Sequence, residues 1–598
     1  MLQRRYTILF YHLIFIILLL FIYITSSIAA KYKSIDLVIE TTNTPPKIER
    51  KLKEFLKETK KIIKSYNTTN QLAYWKSYCQ KSLLELLHSE GYYNATITAA
   101  IDENKENRIN FYIDPDERYK ISKITINFVK DSNRSVILPD IKDLTIKIGD
   151  LAIAENIINV QKQIYDNIET HNCLLSLKIS NQAIIDNIEN TMEVTFVINA
   201  GEKAHIDSIS FEGLKSVKSK YVKKLVNIKD GVCFKNSLII DGRKKLQKSG
   251  LFASATPEIP EKTDEQGKVA VKFKLKERKH RSIKAGVNYS TDKGLGAKLG
   301  WEHRNFFSNG ETLSTSISGN QKEQVAEVNY LQKFFKRDDQ DLKMGANVKN
   351  DDNKAFKSKG GEVSAGIERR LTDIWTTGVG TKYKFSATKE EFETRNFHLI
   401  ALPVFIQRDD RDNSLDPHSG SNVRLSGAPF ANIDQIKLSF FKSTLSASTY
   451  FAFNSEFAPV IAIKGKVGSL FGVKASKIPP TERFYSGGSR SVRGYANKLV
   501  GPLDEFKRPL GGKALFETSV ELRKRFKNDF GVVIFTDSGQ VYSKEFVSTK
   551  SKILHGAGIG ARYYTSFGPL RFDIAFPLNR RKGIDNFYQL SFGIGQSF

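Results

Sequence analysis

From about His280 to the last residue, apolar and polar side chains alternate one for one. Leu295, Ala297, Leu299 and Trp301 alternate with Gly296, Lys298, Gly300 and Glu302. Phe516, Thr518, Val520 and Leu522 alternate with Glu517, Ser519, Glu521 and Arg523, and Leu570, Phe572, Ile574 and Phe576 with Arg571, Asp573 and Ala575. Successive side chains of a strand point to opposite faces, so a period of two specifies strands with one apolar and one polar face. A soluble sandwich alternates too. The polar set here is charged, and in the last strand Tyr588, Leu590, Phe592, Ile594 and Phe598 share one face and close the chain on an aromatic. At roughly 20 residues per strand and connection, residues 280–598 make a transmembrane antiparallel β-barrel of about 16 strands.

The beginning of the chain points to the same compartment. Arg4 and Arg5 precede an apolar run from Tyr6 to Ile24, and Ser27, Ile28 and Ala29 offer a small-x-small cleavage site, so residues 1–29 read as a secretory signal peptide. An uncleaved anchor helix is the rival reading, because the run nearly spans a bilayer. The net charge of +27 suits an acidic membrane surface or nucleic acid. The lysines are dispersed without a dense tract, so no nucleic-acid partner is expected. Apolar residues at 40% and charged residues at 26% exclude disorder as the main state. Cys79, Cys173 and Cys233 show neither a metal-ligand spacing nor an obvious bridge, and each is expected to be a small buried hydrophobe. Without an HExxH or G-x-S-x-G signature, no metal, cofactor or enzymatic activity is expected.

Between Lys33 and Lys276 a pattern recurs with a period of about 80 residues. Gly91-Tyr92-Tyr93-Asn94-Ala95-Thr96, Asn172-Cys173-Leu174-Leu175-Ser176-Leu177 and Gly250-Leu251-Phe252-Ala253-Ser254-Ala255 each follow a helix-like stretch. Second strands end near Phe111-Tyr112-Ile113, Phe196-Val197-Ile198 and Phe273-Lys274-Leu275. In the first repeat, Pro45 and Pro46 open a helix whose apolar stripe is Ile48, Leu52, Phe55 and Leu56. Three small α+β modules are expected, at 33–117, 118–200 and 201–278, each with a strand, two helices and two strands.

One long stretch, Arg483 to Gly512, breaks the alternation, with Gly487 and Gly488 near its start and Val492, Arg493, Gly494 and Tyr495 in its middle. Segments this long without regular structure are usually functional or disordered. Parity places it. If the last strand runs inward, counting back makes the connections near 527–530 and 566–568 periplasmic and short, and those at 543–553 and 578–587 external and longer, the pattern of outer-membrane barrels. The Arg493 stretch then belongs to the external side. Gly556, Gly558 and Gly560 form G-x-G-x-G, but no βαβ unit surrounds them, so nucleotide binding is not expected.

Arg483-Phe484, Gly487-Gly488 and Val492-Arg493-Gly494-Tyr495 strongly resemble the Omp85 superfamily. Asp409-Asp410-Arg411-Asp412 with Leu415-Asp416-Pro417 and Gly420 adds to the likeness, as do Phe535-Thr536-Asp537-Ser538-Gly539 and Gly556-Ala557-Gly558-Ile559-Gly560 leading to Gly568-Pro569-Leu570-Arg571. The repeats look like POTRA modules, and three of them at this length look most like the TamA branch. That resemblance implies an outer-membrane factor with periplasmic modules. It would aid insertion or translocation of β-barrel or autotransporter clients, in contact with membrane lipid and with a TamB-like partner. The alternative is a two-partner-secretion-type pore exporting a partner polypeptide.

The resemblance also implies that the external loop folds into the lumen, with Arg493 held by acids on inward faces of late strands. Glu521 faces inward if Phe516, Val520 and Leu522 face lipid. Asp537 matches the family's acidic position, but Val533 and Phe535 would share its face, so either a bulge is needed there or Asp537 is the wrong residue. In the last strand Ser591, Gly593, Gly595 and Ser597 form the inward face. Such small residues weaken strand order, so the seam between first and last strands would open sideways; barrel taper explains them equally well.

Overall fold

The computed structural model describes residues 35–594 and 596, apart from 64–68, 103, 104, 106, 130–134, 391, 392, 435–437, 454–457, 527, 528, 549, 550, 566 and 567. The expected signal peptide, Gly595, Ser597 and Phe598 lie outside the described residues. The chain separates into two compact units. The first ends at Ser210 and adds Lys229–Ile240 and Glu258–Val271; the second comprises Phe211–Ile228, Asp241–Pro257 and Lys272 onward.

Three three-stranded sheets precede the barrel, in the orders Asp36–Thr41, Arg108–Asp114, Thr96–Ile101; then Lys120–Phe128, Thr191–Ala200, Leu177–Asp186; then His205–Glu212, Lys268–Glu277, Phe252–Glu258. The first is covered by helices Pro46–Ile62 and Thr69–Ser89. Pro46 sits where a missing N–H costs nothing, Glu49 lies in the first turn, and Lys60 and Lys61 lie in the last, all favourable to the helix dipole. Ile48, Leu52 and Leu56 are buried and Phe55 packs partly against the same core. Each such side chain stabilises the module by roughly 1.5–3 kcal/mol.

The second repeat departs from the expected pattern. Among the described residues it has one long helix, Ala154–His171, which buries Ile157, Val160, Ile164 and Ile168, and in place of the other expected helix the single 3₁₀ turn Ile141–Asp143. Pro139, which has no N–H and biases the residue before it away from helix, stands just ahead of that turn. The cysteine expectation needs a correction. Cys79 is buried and free, but Cys173 and Cys233 form a disulfide with Cα atoms 5.0 Å apart. Their separation of 60 residues hid the pair. Adjacent backbone bonds bring them together, since Ala204 N donates to Cys173 O at 2.8 Å and Phe234 N to Ala204 O at 3.0 Å.

In the second unit, helix Ser219–Val226 meets the turns that follow the second and fourth barrel strands. Lys218 N donates to Ser308 O at 2.8 Å, and Lys224 pairs with Asp338 at 3.4 Å. A Cβ at Gly310 would lie 2.2 Å from the Tyr221 ring, so only glycine admits this approach. Nearby, burial opposes ionisation of the Glu277 carboxyl. The Ser216 hydroxyl and the backbone N–H groups of Lys215, Val217 and Ser216 donate to it and pull its pKa down to about 2.

The barrel is closed and antiparallel, and its first strand, Arg281–Ser290, pairs with its last, Gln589–Ile594. One strand is interrupted. Glu393–Ala401 and Val404–Asp409 both lie between Trp375–Glu390 and Gly420–Asn432, and Pro403, which has no N–H for the ladder, marks the break. Counted as one, they make 16 strands. Outward side chains are apolar and exposed, as with Ile283, Leu295 and Ile317 at 78%, 68% and 70%. Connections at the end where the first strand begins are short across 526–529, whereas 543–553 and the long 472–513 segment lie at the far end.

Candidate functional site: a loop pinned inside the barrel

The 472–513 segment is held at two levels. At its root, Glu482 is buried between Lys384 at 2.8 Å and Lys442 at 3.2 Å. Arg483 reaches Glu390 at 2.5 and 3.0 Å and donates to the carbonyls of Ile478 and Leu510 at 3.0 Å. Gly487 and Gly488, both at φ above +100°, then turn the chain. Gly488 N donates to Tyr495 O at 3.0 Å, closing a compact tip around Val492 and Tyr495, each 1% exposed. The Tyr495 hydroxyl donates to His555 O at 3.0 Å.

Arg493 occupies the centre of that tip. Its Nε and Nη2 donate to Asp537 Oδ2 and Oδ1 at 2.6 and 2.8 Å, its backbone N donates to Asp537 Oδ2 at 2.9 Å, and Nη2 also donates to Ser519 Oγ at 3.2 Å. Nη1 stands 2.7 Å from Glu521 Oε1 as a close ion pair. Glu521 is shared, since Arg523 Nε donates to its Oε2 at 2.9 Å. The Arg493 and Asp537 side chains are 2% and 0% exposed, and Glu521 0%. Sequence order put Glu521 first and Asp537 second; the geometry reverses that ranking, giving Asp537 the two-pronged contact.

No bulge carries Asp537 inward. The strands Ala514–Arg525 and Phe530–Tyr542 pair without a register shift, Ser519 opposite Asp537 and Glu521 opposite Phe535. Val533, Phe535 and Asp537 therefore all face the lumen, at 0%, 3% and 1% exposed. The expectation failed because it assigned apolar residues to lipid, whereas here the loop folds into the lumen. Phe535 was missed on that account: its ring centroid lies 3.4 Å from Arg493 Cζ, a stacked cation–π contact. Ser519 was also missed, although it stands two residues from Glu521 on the same face, and its hydroxyl donates to Asp537 Oδ1 at 2.6 Å.

Glycines make the space. A Cβ at Gly494, where φ is +95°, would lie 2.7 Å from the Phe576 backbone, and one at Gly556 would lie 1.9 Å from Arg493 O. One at Gly558 would lie 2.5 Å from the Phe535 ring. The G-x-G-x-G run is thus the inward face of Leu554–Thr565, hollowed to admit the loop.

The seam is sparsely zipped. Among the described residues, register is kept at Tyr289–Phe592 and Ser290–Ser591, and Thr291 N donates to Leu590 O at 3.1 Å. Gly593 and Ile594 stay paired to Arg571 and Leu570 on the other side but have no partner on the first strand. Ser591 and Gly593 face inward, while Tyr588 and Ile594, both 47% exposed, face outward with Leu590 and Phe592 partly covered.

A family model described as the Omp85 superfamily domain matches residues 305–598, and the POTRA model, described as a surface antigen variable number repeat, matches residues 204–278. The chain is 24% identical over 545 residues to the outer membrane protein assembly factor BamA of Nitratidesulfovibrio vulgaris, covering 85% of this chain and 66% of that one. It is 20% identical over 499 residues to BamA of Neisseria meningitidis serogroup B, covering 70% and 60%. The chain thus spans less than two thirds of the length of these relatives. Among solved structures, BamA from Haemophilus ducreyi lacking POTRA domains 1–3 superposes with a TM-score of 0.63 at 20% identity, over 80% of this chain and all of that one. The barrel lies in the outer membrane with its N-terminal modules in the periplasm, which makes the far end external. Residues 305–598 thus carry an Omp85 superfamily domain, and a POTRA repeat at 204–278 leads into it.

Proposed function

We propose that this chain is an outer-membrane assembly factor that helps β-barrel or autotransporter clients insert or translocate. The seam carries the reading. Past Tyr289–Phe592, the first strand has no registered partner for Arg281–Asn288 among the described residues of the last strand, and a strand edge accepts an added strand through its backbone N–H and C=O groups. The relatives bearing the name BamA support the same class. Arg493, Glu521 and Asp537 act as the lock that keeps the loop in the lumen, with Gly487, Gly488, Val492, Gly494 and Tyr495 shaping its tip. Read as three POTRA modules, the periplasmic repeats favour a TamA-like arrangement, with a TamB-like partner at their N-terminal end. A secretion pore is disfavoured, because the 472–513 loop folds into the lumen that an exported chain would use.

A test cross-links the seam. Cysteines replacing Val287 and Ile594, outward-facing positions two past the last registered pair, are joined by a short bismaleimide, and insertion of a barrel client into lipid vesicles is followed. Insertion should stop in the cross-linked protein and proceed in each single variant. Insertion at the wild-type rate with the seam closed would remove the seam from the mechanism.

A further inference from the structure

A cavity of about 630 Å³ inside the barrel borders both sides of the seam, with Tyr289 on the first strand and Phe592 and Gly593 on the last in its wall. Arg490, Lys466 and Arg571 line it as well. Its acids are already engaged: Lys293 and Lys349 hold Glu323 at 3.2 and 2.8 Å, and the Ser491 hydroxyl donates to Glu517. Arg571 is only 6% exposed, and its Nε and Nη1 are buried without a hydrogen-bond partner. Asp573, nearby on the same strand face, gives Oδ1 to Arg562 at 2.6 Å; its charge reaches Arg571, but its buried Oδ2 makes no hydrogen bond to it. Among the described residues no acid forms an ion pair with Arg571, Arg490 or Lys466.

A buried guanidinium whose N–H groups lack acceptors is costly, and its planar fork matches a carboxylate. Arg571 stands opposite Gly593 in register, one position past the point where the seam loses its pairing. A Cβ at Gly593 would lie 3.6 Å from Arg571 Nε, so glycine there keeps the approach open. We propose that Arg571, with Arg490 and Lys466 around the same cavity, is an anion site that receives a carboxylate on a strand entering at the seam. The inference rests on the assembly reading and gives the entering strand a chemical handle. Arg571 is a binding residue, distinct from the Arg493 contacts that hold the loop.

The probe is a fluorescent peptide of residues 586–598 of this chain, made with a free C-terminal carboxylate or as the amide, titrated against the full chain in detergent. A charge-assisted pair in a buried site predicts roughly tenfold tighter binding of the acid. Millimolar inorganic phosphate should weaken the acid and spare the amide, Arg571→Gln should erase the acid preference, and Arg571→Lys should retain part of it. Equal binding of acid and amide to the wild-type protein overturns the anion site while leaving strand capture standing. Binding of neither overturns both. An acid preference that survives Arg571→Gln, with the loop still protected, places the anion elsewhere and also overturns the proposal.

Discussion

Replacing Arg493 by alanine removes two side-chain bonds to Asp537, one to Ser519, the ion pair to Glu521 and the stacking on Phe535. Breaking one side of a buried pair costs about 3–5 kcal/mol. Two contacts survive the change, Ser519 on Asp537 and Arg523 on Glu521, which places the expected cost near the lower end, about 3 kcal/mol. At 1.4 kcal/mol per decade the opened loop should become roughly a hundredfold more populated. Ser486, 1% exposed in the closed loop, reports this directly. Maleimide labelling of Ser486→Cys should accelerate by about that factor in an Arg493→Ala background, with the heat-resistant barrel band unchanged. Asp537→Asn should accelerate labelling more than Glu521→Gln, because Asp537 carries the two-pronged contact. The Arg493→Ala, Asp537→Asn double variant should fall short of additivity. Unchanged labelling in Arg493→Ala would refute the lock. An effect of Glu521→Gln at least as large as that of Asp537→Asn would refute the partner ranking.

Gly556→Ala should release the loop as Arg493→Ala does, because its Cβ would fall 1.9 Å from Arg493 O; wild-type labelling of Ser486→Cys in that background would show that the strand yields instead. The oxidised protein, unfolded in denaturant, should titrate one thiol, rising to three after reduction. On the loop-closure model, Cys173→Ser should cost the periplasmic modules roughly 4 kcal/mol, read as a lower denaturation midpoint. Glu277 has a folded pKa of about 2 against an ordinary glutamate near 4.3, so its contribution is fully present above about pH 5 and is lost as pH falls toward 2. Amide exchange at Lys215–Val217, corrected for its intrinsic pH dependence, should lose protection across that window. Glu277→Gln should make it insensitive there, and an unchanged profile in that variant would assign the pH response to another group.

The amino-acid sequence by itself determined the late strands and their approximate ends, the approximate number of strands, and the side of the membrane on which the Arg493 loop lies. Alternation over 514–526, 531–542, 554–565 and 569–577 marks segments that differ by at most a residue from the observed Ala514–Arg525, Phe530–Tyr542, Leu554–Thr565 and Gly568–Pro577. Side-chain period and turn length are local properties, so they survive in one dimension. The placement of Phe535 and Asp537 on one inward face was not legible, because an apolar residue in a barrel strand reads as lipid-facing until the loop that folds into the lumen is known. Register was equally hidden: that Ser519 stands opposite Asp537, and that Gly556 lies under Arg493, depends on how neighbouring strands slide, which no single strand encodes. The Cys173–Cys233 bond and the pairing of Tyr289 with Phe592 across the seam belong to the same class. Each joins segments far apart along the chain, so only tertiary packing could decide it.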